Sequence, residues 1–293
     1  MRYPHFMVDT NPLSNCRFAF VGCGVMAEVI IAGLLRKKLV GPEQIVGSHP
    51  RQARREEMHV KYGVEMFESN REAVTETQTE GPDDSSVIVL AVKPQRLHVV
   101  LEELKGALVK EQLVVSIVTG AKIETIAEQL LHASVVRTMP NTPAQIGEGM
   151  TAWTVSSEVN EKQENQVRAM LDALGKNERV ENERQIDMAT ALSATGPTYI
   201  YLMMEALIDA GVHMGFSRRV AEDLVHQMMR GAVLFAVESH KHPAELRNMV
   251  TSPGGTSAEA IYQMEKGGLR TVLSKAVWAA YQKAEALGGK KQS

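Results

Sequence analysis

From Arg17 to about Val180 the sequence alternates short, almost unbroken apolar runs with helical stretches, a pattern that few folds accommodate. The runs are Phe18-Ala-Phe-Val21, Ile45-Val-Gly47, Val87-Ile-Val-Leu-Ala-Val92, Leu113-Val-Val-Ser-Ile-Val118 and Val135-Val136. A strand that is apolar on both faces is covered on both, as in a parallel sheet with helices on each side. A further strand is expected to include Met150 to Val155, followed by a helix through Asn160 to Leu174.

The first run leads into Gly22-Cys-Gly24-Val-Met-Ala27, a strand, a tight turn and the start of an amphipathic helix. This is the G-x-G-x-x-A form of the dinucleotide fingerprint. Gly22 permits the turn, Gly24 lets a pyrophosphate approach the backbone, and Ala27 lets the helix pack on the strand. The free amides at Val25 and Met26 and the positive helix end then face the phosphates. Cys23 lies inside the loop as a small filler.

The second run ends in Gly47-Ser48-His49-Pro50-Arg51, with no acid before Glu56. An NAD site places Asp or Glu there to accept hydrogen bonds from the ribose hydroxyls. Ser48 can donate to a 2′-phosphate and Arg51 can pair with its charge, so NADPH is expected over NADH. The bland alternative makes Arg51, Arg54 and Arg55 an exposed helix face.

After about Glu181 the strand signals vanish. Ile200, Met203, Met204, Leu207 and Ile208 follow helical spacing, as do Leu269, Val272, Leu273, Ala276, Val277, Ala280, Tyr281 and Ala284. Gly196-Pro197 must break or kink that stretch. The expected architecture is α/β: residues 17–181 a Rossmann-type domain, residues 182–293 an all-helical domain, and residues 1–16 a loose leader.

Composition removes several classes. A net charge of −3 gives no basic footprint for nucleic acid. No apolar run approaches the roughly 20 residues needed to cross a bilayer. Two cysteines, Cys16 and Cys23, make no disulfide framework, so a reducing cytoplasm is expected. His240-Lys-His242 has no further ligands at a metal-binding spacing and reads as a surface loop. Glu205 and Asp209, four apart on a helix, read as polar surface positions rather than an acid–base pair.

Four segments carry a more specific signal: Leu90-Ala-Val-Lys93-Pro94-Gln95, Val136-Arg-Thr-Met-Pro140-Asn141-Thr142-Pro143, Gly196-Pro197-Thr198-Tyr199 and Met249-Val-Thr-Ser252-Pro253-Gly254-Gly255-Thr256-Ser257. With the glycine loop, they make the chain resemble the pyrroline-5-carboxylate reductases from Arg17 to Leu287. The resemblance implies NAD(P)H-dependent reduction of 1-pyrroline-5-carboxylate to proline, and makes the helical domain a dimerisation domain. It implies that Ala91, Val92, Lys93 and Pro94 lie beside the nicotinamide ribose, with Pro140, Asn141 and Thr142 walling the nicotinamide pocket. It also implies that Ser252, Gly254, Gly255, Thr256 and Ser257 hold the substrate carboxylate, in a loop reaching across the dimer. Departures are Ala194 and Thr195, where the family often has glycine and serine, and Ser257, where threonine is common. They bear on substrate fit.

The reaction sends a hydride to an imine carbon, and the nitrogen takes a proton that the substrate can bring as an iminium. The catalytic candidates are therefore modest: Ser257 or Thr256 bonding the ring nitrogen or carboxylate, and Lys93 attracting a carboxylate or a cofactor oxygen. Arg137 is equally balanced between a pair at the sheet end and a substrate contact. Two other readings stay open. One is a different two-domain NADP reductase, although Ile186 to Tyr201 offers no lysine or histidine for it. The other is a catalytically idle paralogue with a regulatory role.

Overall fold

The computed structural model describes residues 11–79 and 84–289. Eight strands form one sheet: β1 (Cys16–Val21), β2 (Ile45–Ser48), β3 (Glu65–Phe67), β4 (Ser85–Leu90), β5 (Leu113–Ser116), β6 (Val135–Met139), β7 (Gly149–Val155) and β8 (Gly175–Arg179). Their order is β3-β2-β1-β4-β5-β6-β7-β8, and every pairing is parallel except β6 with β7.

Alternate side chains of the same strand feed two separate cores. Phe18, Phe20, Val87, Val89, Leu113 and Val115 face one side, where Ile30 and Leu34 of helix α1 (Val25–Arg36) and Met58 of α2 (Gln52–Tyr62) meet them. Ala19, Val21, Ile88, Leu90 and Val114 face the other, against α3 (Asn70–Glu76), α4 (Pro94–Leu104) and α5 (Ile123–Leu130). Each such large side chain stabilises the fold by about 1.5–3 kcal/mol when fully buried. Helix α6 (Glu161–Asp172) joins the first core through Val167, Met170 and Leu171. Its start is a capping box: Asn160 accepts from the Gln163 amide while Gln163 accepts from the Asn160 amide.

The structure revises the leader. Residues 1–10 lie outside the described residues, but β1 already begins at Cys16 and Leu13 is fully buried in the first core. Gln44 holds this stretch by donating to the carbonyls of Leu13, Ser14 and Cys16. Two strands escape the apolar pattern altogether, the three-residue β3 and the charged β8.

The chain divides into two compact units. One runs to Ala194 and regains the chain from Tyr281; the other is Thr195–Ala280. The division falls later than the expected border near 182 because α7 (Glu183–Ala189) stays with the sheet. Arg137 of β6, fully buried, binds Glu183 at 3.1 Å and Asp187 at 2.5 Å. Arg137 thus pairs at the sheet end. A π-helical turn, Thr190–Ala194, follows α7.

The second unit contains α8 (Gly196–His213), α9 (Arg218–Ser239), α10 (Pro243–Met249), α11 (Thr256–Lys266) and the first part of α12 (Leu269–Gly289). Gly196-Pro197 opens α8 instead of kinking it, since proline in the first turn lacks only an amide that would be unpaired anyway. Its buried cluster is small: Ile208, Ala221 and Val225, with Met204 and Met229 packed against them. Leu202, Leu224, Phe235, Tyr262 and Trp278 are exposed. Asp209 pairs on the surface with Arg218 at 2.9 Å. Among the described residues, no helix is long and apolar enough to cross a membrane.

Candidate active site

Gly22 has φ +87°, and a Cβ there would stand 2.5 Å from Cγ1 of Val92, so only glycine fits the turn. The turn is tied down on both sides: the Gly24 amide donates to the Gly22 carbonyl at 2.7 Å and the Cys23 amide to Ser48 O at 2.9 Å. A Cβ on Gly24 would meet nothing within 4 Å, so the space in front of the loop is open where a phosphate must come close. Gly24 is the N-cap of α1, and the amides of Val25, Met26 and Ala27 begin a twelve-residue helix. Such amides have no intrahelical acceptor and sit at the positive end of the dipole. The residues present therefore fit a dinucleotide pyrophosphate. Cys23 is buried, and burial pushes its thiol up to about 12, which leaves it inert and filling space.

At the end of β2 the structure separates two expected 2′-phosphate contacts. Ser48 is fully buried: its hydroxyl lies 2.7 Å from Asn70 Oδ1 and 3.3 Å from the Gly22 amide. It braces the glycine turn and is not open to a ligand. Arg54 and Arg55 are also engaged, Arg54 with Glu28 and Glu57, and Arg55 with Glu68 and the carbonyls of His49 and Pro50. They do not form a bare helix face. Arg51, the N-cap of α2, is exposed, and no ion pair holds its guanidinium among the described residues. His49 beside it accepts from the Arg51 amide, and partial burial followed by the charges of Arg51, Arg54 and Arg55 holds its pKa below the usual value.

Beyond β4, Ala91 and Val92 are half-buried, and Lys93 is the exposed N-cap of α4 with Pro94 at the first helical position. Beyond β6, Asn141 caps a 3-10 turn; its side-chain oxygen accepts from the Met150 amide at 2.9 Å and its amide reaches Ser193 Oγ at 3.4 Å. These strand ends lie on the carboxyl side of a parallel sheet, where such folds receive ligands.

In the helical unit, Ser252-Pro253-Gly254-Gly255 is a turn closed by a Gly255 amide to Ser252 carbonyl bond of 3.0 Å. Proline in its second position and glycine at φ +69° in its third are the residues a type II turn demands. Gly255 caps α11, so Thr256 and Ser257 present two N-terminal amides and two hydroxyls together. That combination suits a carboxylate. Sequence reasoning missed Glu28 and Tyr62 as neighbours of the glycine loop; the donors around Glu28 are 26 to 34 residues away in sequence, and no local pattern marks them.

A fingerprint turn of this kind, on this sheet, defines a Rossmann-type, dinucleotide-dependent oxidoreductase. Residues 17–120 match the family described as NADP oxidoreductase coenzyme F420-dependent, and residues 183–287 match pyrroline-5-carboxylate reductase dimerisation. The pyrroline-5-carboxylate reductase of Synechocystis sp. is 38% identical, covering 94% of this chain and 100% of its own length. A Plasmodium falciparum pyrroline carboxylate reductase structure with NADP bound superposes with a TM-score of 0.84 at 30% identity, over 94% of this chain and 99% of that one. The Coxiella burnetii enzyme gives 0.83 at 35% identity, over 94% and 99%. The chain belongs to the pyrroline-5-carboxylate reductase family.

Proposed function

We propose that two helix N-termini divide the work of the reaction: α1 receives the cofactor pyrophosphate and α11 receives the substrate carboxylate. The reaction is the NAD(P)H-dependent reduction of 1-pyrroline-5-carboxylate to L-proline, and the enzyme is an oxidoreductase acting on a CH–NH bond. The observation that carries the division is the pair of capless glycine N-caps, Gly24 and Gly255, each opening a helix of eleven residues or more. Neither the idle paralogue nor another two-domain reductase draws support from any relative.

Nicotinamide, when bound, supplies two electrons as hydride from its fourth ring carbon. The chain's own task is to hold donor and acceptor carbons roughly 3–3.5 Å apart and aligned. Ala91, Val92, Lys93, Pro94 and Asn141 line the strand ends for the nicotinamide half, and Lys93 adds a positive charge. Gly254 and Gly255 shape the carboxylate turn, Ser252 closes it, and Thr256 and Ser257 hold the substrate with amide and hydroxyl donors. The ring nitrogen's proton arrives with the substrate, and a hydroxyl steadies it. Arg51 takes the 2′-phosphate, so NADPH is the preferred cofactor.

The working protein is a homodimer or a higher homo-oligomer. Its helical unit matches a dimerisation family and exposes Leu224, Phe235 and Trp278, which a second copy would cover. A cytoplasmic setting suits Cys16 and Cys23, both buried as free thiols. The deciding assay follows NADPH oxidation by the purified protein. It should require pyrroline-5-carboxylate; activity with hydroxy or keto acids alone would replace this reading.

A further inference from the structure

Glu28 sits in the first turn of α1, where the helix dipole attracts negative charge. A cofactor pyrophosphate needs that same positive end, so an uncompensated carboxylate there would oppose it. The structure surrounds Glu28 with donors: Arg54 at 2.6 Å on one oxygen, and Lys61 at 2.7 Å and Tyr62 at 2.8 Å on the other. Partial burial alone would raise the Glu28 pKa, but these three donors outweigh it and hold it at about 2. The carboxylate is therefore charged at any working pH, and its charge has to be balanced.

Arg54 makes a further contact that a plain counter-ion would not. Its Nε donates to the Cys23 carbonyl at 3.0 Å, inside the fingerprint turn. The amide on the other side of that peptide, Gly24 N–H, is fixed on the Gly22 carbonyl. Both ends of the Cys23–Gly24 peptide are thus pinned, one by Arg54 and one by the turn. Glu57 holds the remaining arm of the guanidinium at 2.8 Å.

We infer that Arg54 is a positioning residue for dinucleotide binding: it fixes the Cys23–Gly24 peptide and cancels the charge of Glu28, so that α1 can receive the pyrophosphate. Arg54 acts on the part shared by NADPH and NADH, whereas Arg51 acts on the 2′-phosphate alone. This rests on α1 being the pyrophosphate site. Lysine cannot replace Arg54 fully, because one ammonium does not reproduce the guanidinium's fork across Cys23 and Glu28.

The test is calorimetric titration of NADP+ and NAD+ into the full-length oligomer, with KM and kcat alongside. Arg54→Met should weaken both cofactors by a similar factor, about tenfold, with kcat changing less than about twofold, the size expected for one charged hydrogen bond. Glu28→Gln combined with Arg54→Met should recover at least about threefold of that loss, because the opposing charge is gone. Lys61→Met, at an exposed position that leaves the fold intact, should weaken both cofactors about two- to threefold, and less at high salt. Tight NADP+ binding by the unaltered protein that Arg54→Met leaves unchanged, or weakens for NADP+ alone, would overturn the inference. So would a double variant no better than Arg54→Met. Failure of the unaltered protein to bind either dinucleotide would instead overturn the α1 site itself.

Discussion

Ser48 Oγ lies 2.7 Å from Asn70 Oδ1 and 3.3 Å from the Gly22 amide, joining β2, α3 and the fingerprint turn through one buried hydroxyl. Ser48→Ala leaves Asn70 and the turn short of a partner, so it should cost about 1–3 kcal/mol of stability. Affinity for NADP+ and NAD+ should fall together or not at all. A selective loss of NADP+ in titrations would return Ser48 to the 2′-phosphate.

Arg51 carries the opposite expectation. Arg51→Ala removes a charged contact to the 2′-phosphate, and KM for NADPH should rise about tenfold or more while KM for NADH stays nearly constant. The same variant removes one of the charges that depress His49, so its imidazole should titrate closer to the ordinary value by NMR. Equal changes in both KM values would exclude Arg51 from the site.

Ser257→Ala deletes a neutral hydrogen bond while keeping the α11 amides. Turnover should drop about two- to tenfold and persist, as about 0.5–1.5 kcal/mol predicts. Complete loss in steady-state assays would show that Ser257 does more than steady the substrate.

Asp187→Ala leaves Arg137, whose side chain is only 1% exposed and whose Nε lacks a partner, with Glu183 as its one remaining counter-ion among the described residues. Losing this buried, charged hydrogen bond should cost about 1.5–3 kcal/mol, read as a fall in the urea midpoint. A loss below about 1 kcal/mol would mean that water reaches the cation.

His132 sets an acid limit. It is buried, and although its ring contacts the Gln112 carbonyl at 2.7 Å, burial holds its pKa below the usual 6.5. The unfolded chain therefore binds the proton more tightly than the folded one. His132 contributes fully above about pH 6.5, and the contribution falls as pH drops through that value towards the folded pKa. His132→Gln should flatten the stability profile in this window, and an unchanged slope in urea titrations would refute the assignment.

The parts of the fold that could be read from sequence are those encoded within a few residues. Phe18 to Ala27 carries strand, turn and helix start together, and Ser252 to Ser257 carries its own turn chemistry. Glu65-Met-Phe67 is too short to show a period, and Gly175–Arg179 hides among charges because edge strands gain from them. The role of Ser48 depended on Asn70, and that of Arg54 on Glu28. Side-chain partners so distant in sequence leave no local signature, so a serine and an arginine at the end of β2 look equally available. Only the fold distinguishes the one that is enclosed from the one that is free.

With Ile208, Ala221 and Val225 as its entire buried cluster among the described residues, the helical unit has little interior of its own. Its melting temperature should then belong to the population as much as to the chain. Diluting the protein below the dissociation constant of its oligomer would separate the copies by mass action, and the unfolding transition would move down with the logarithm of concentration.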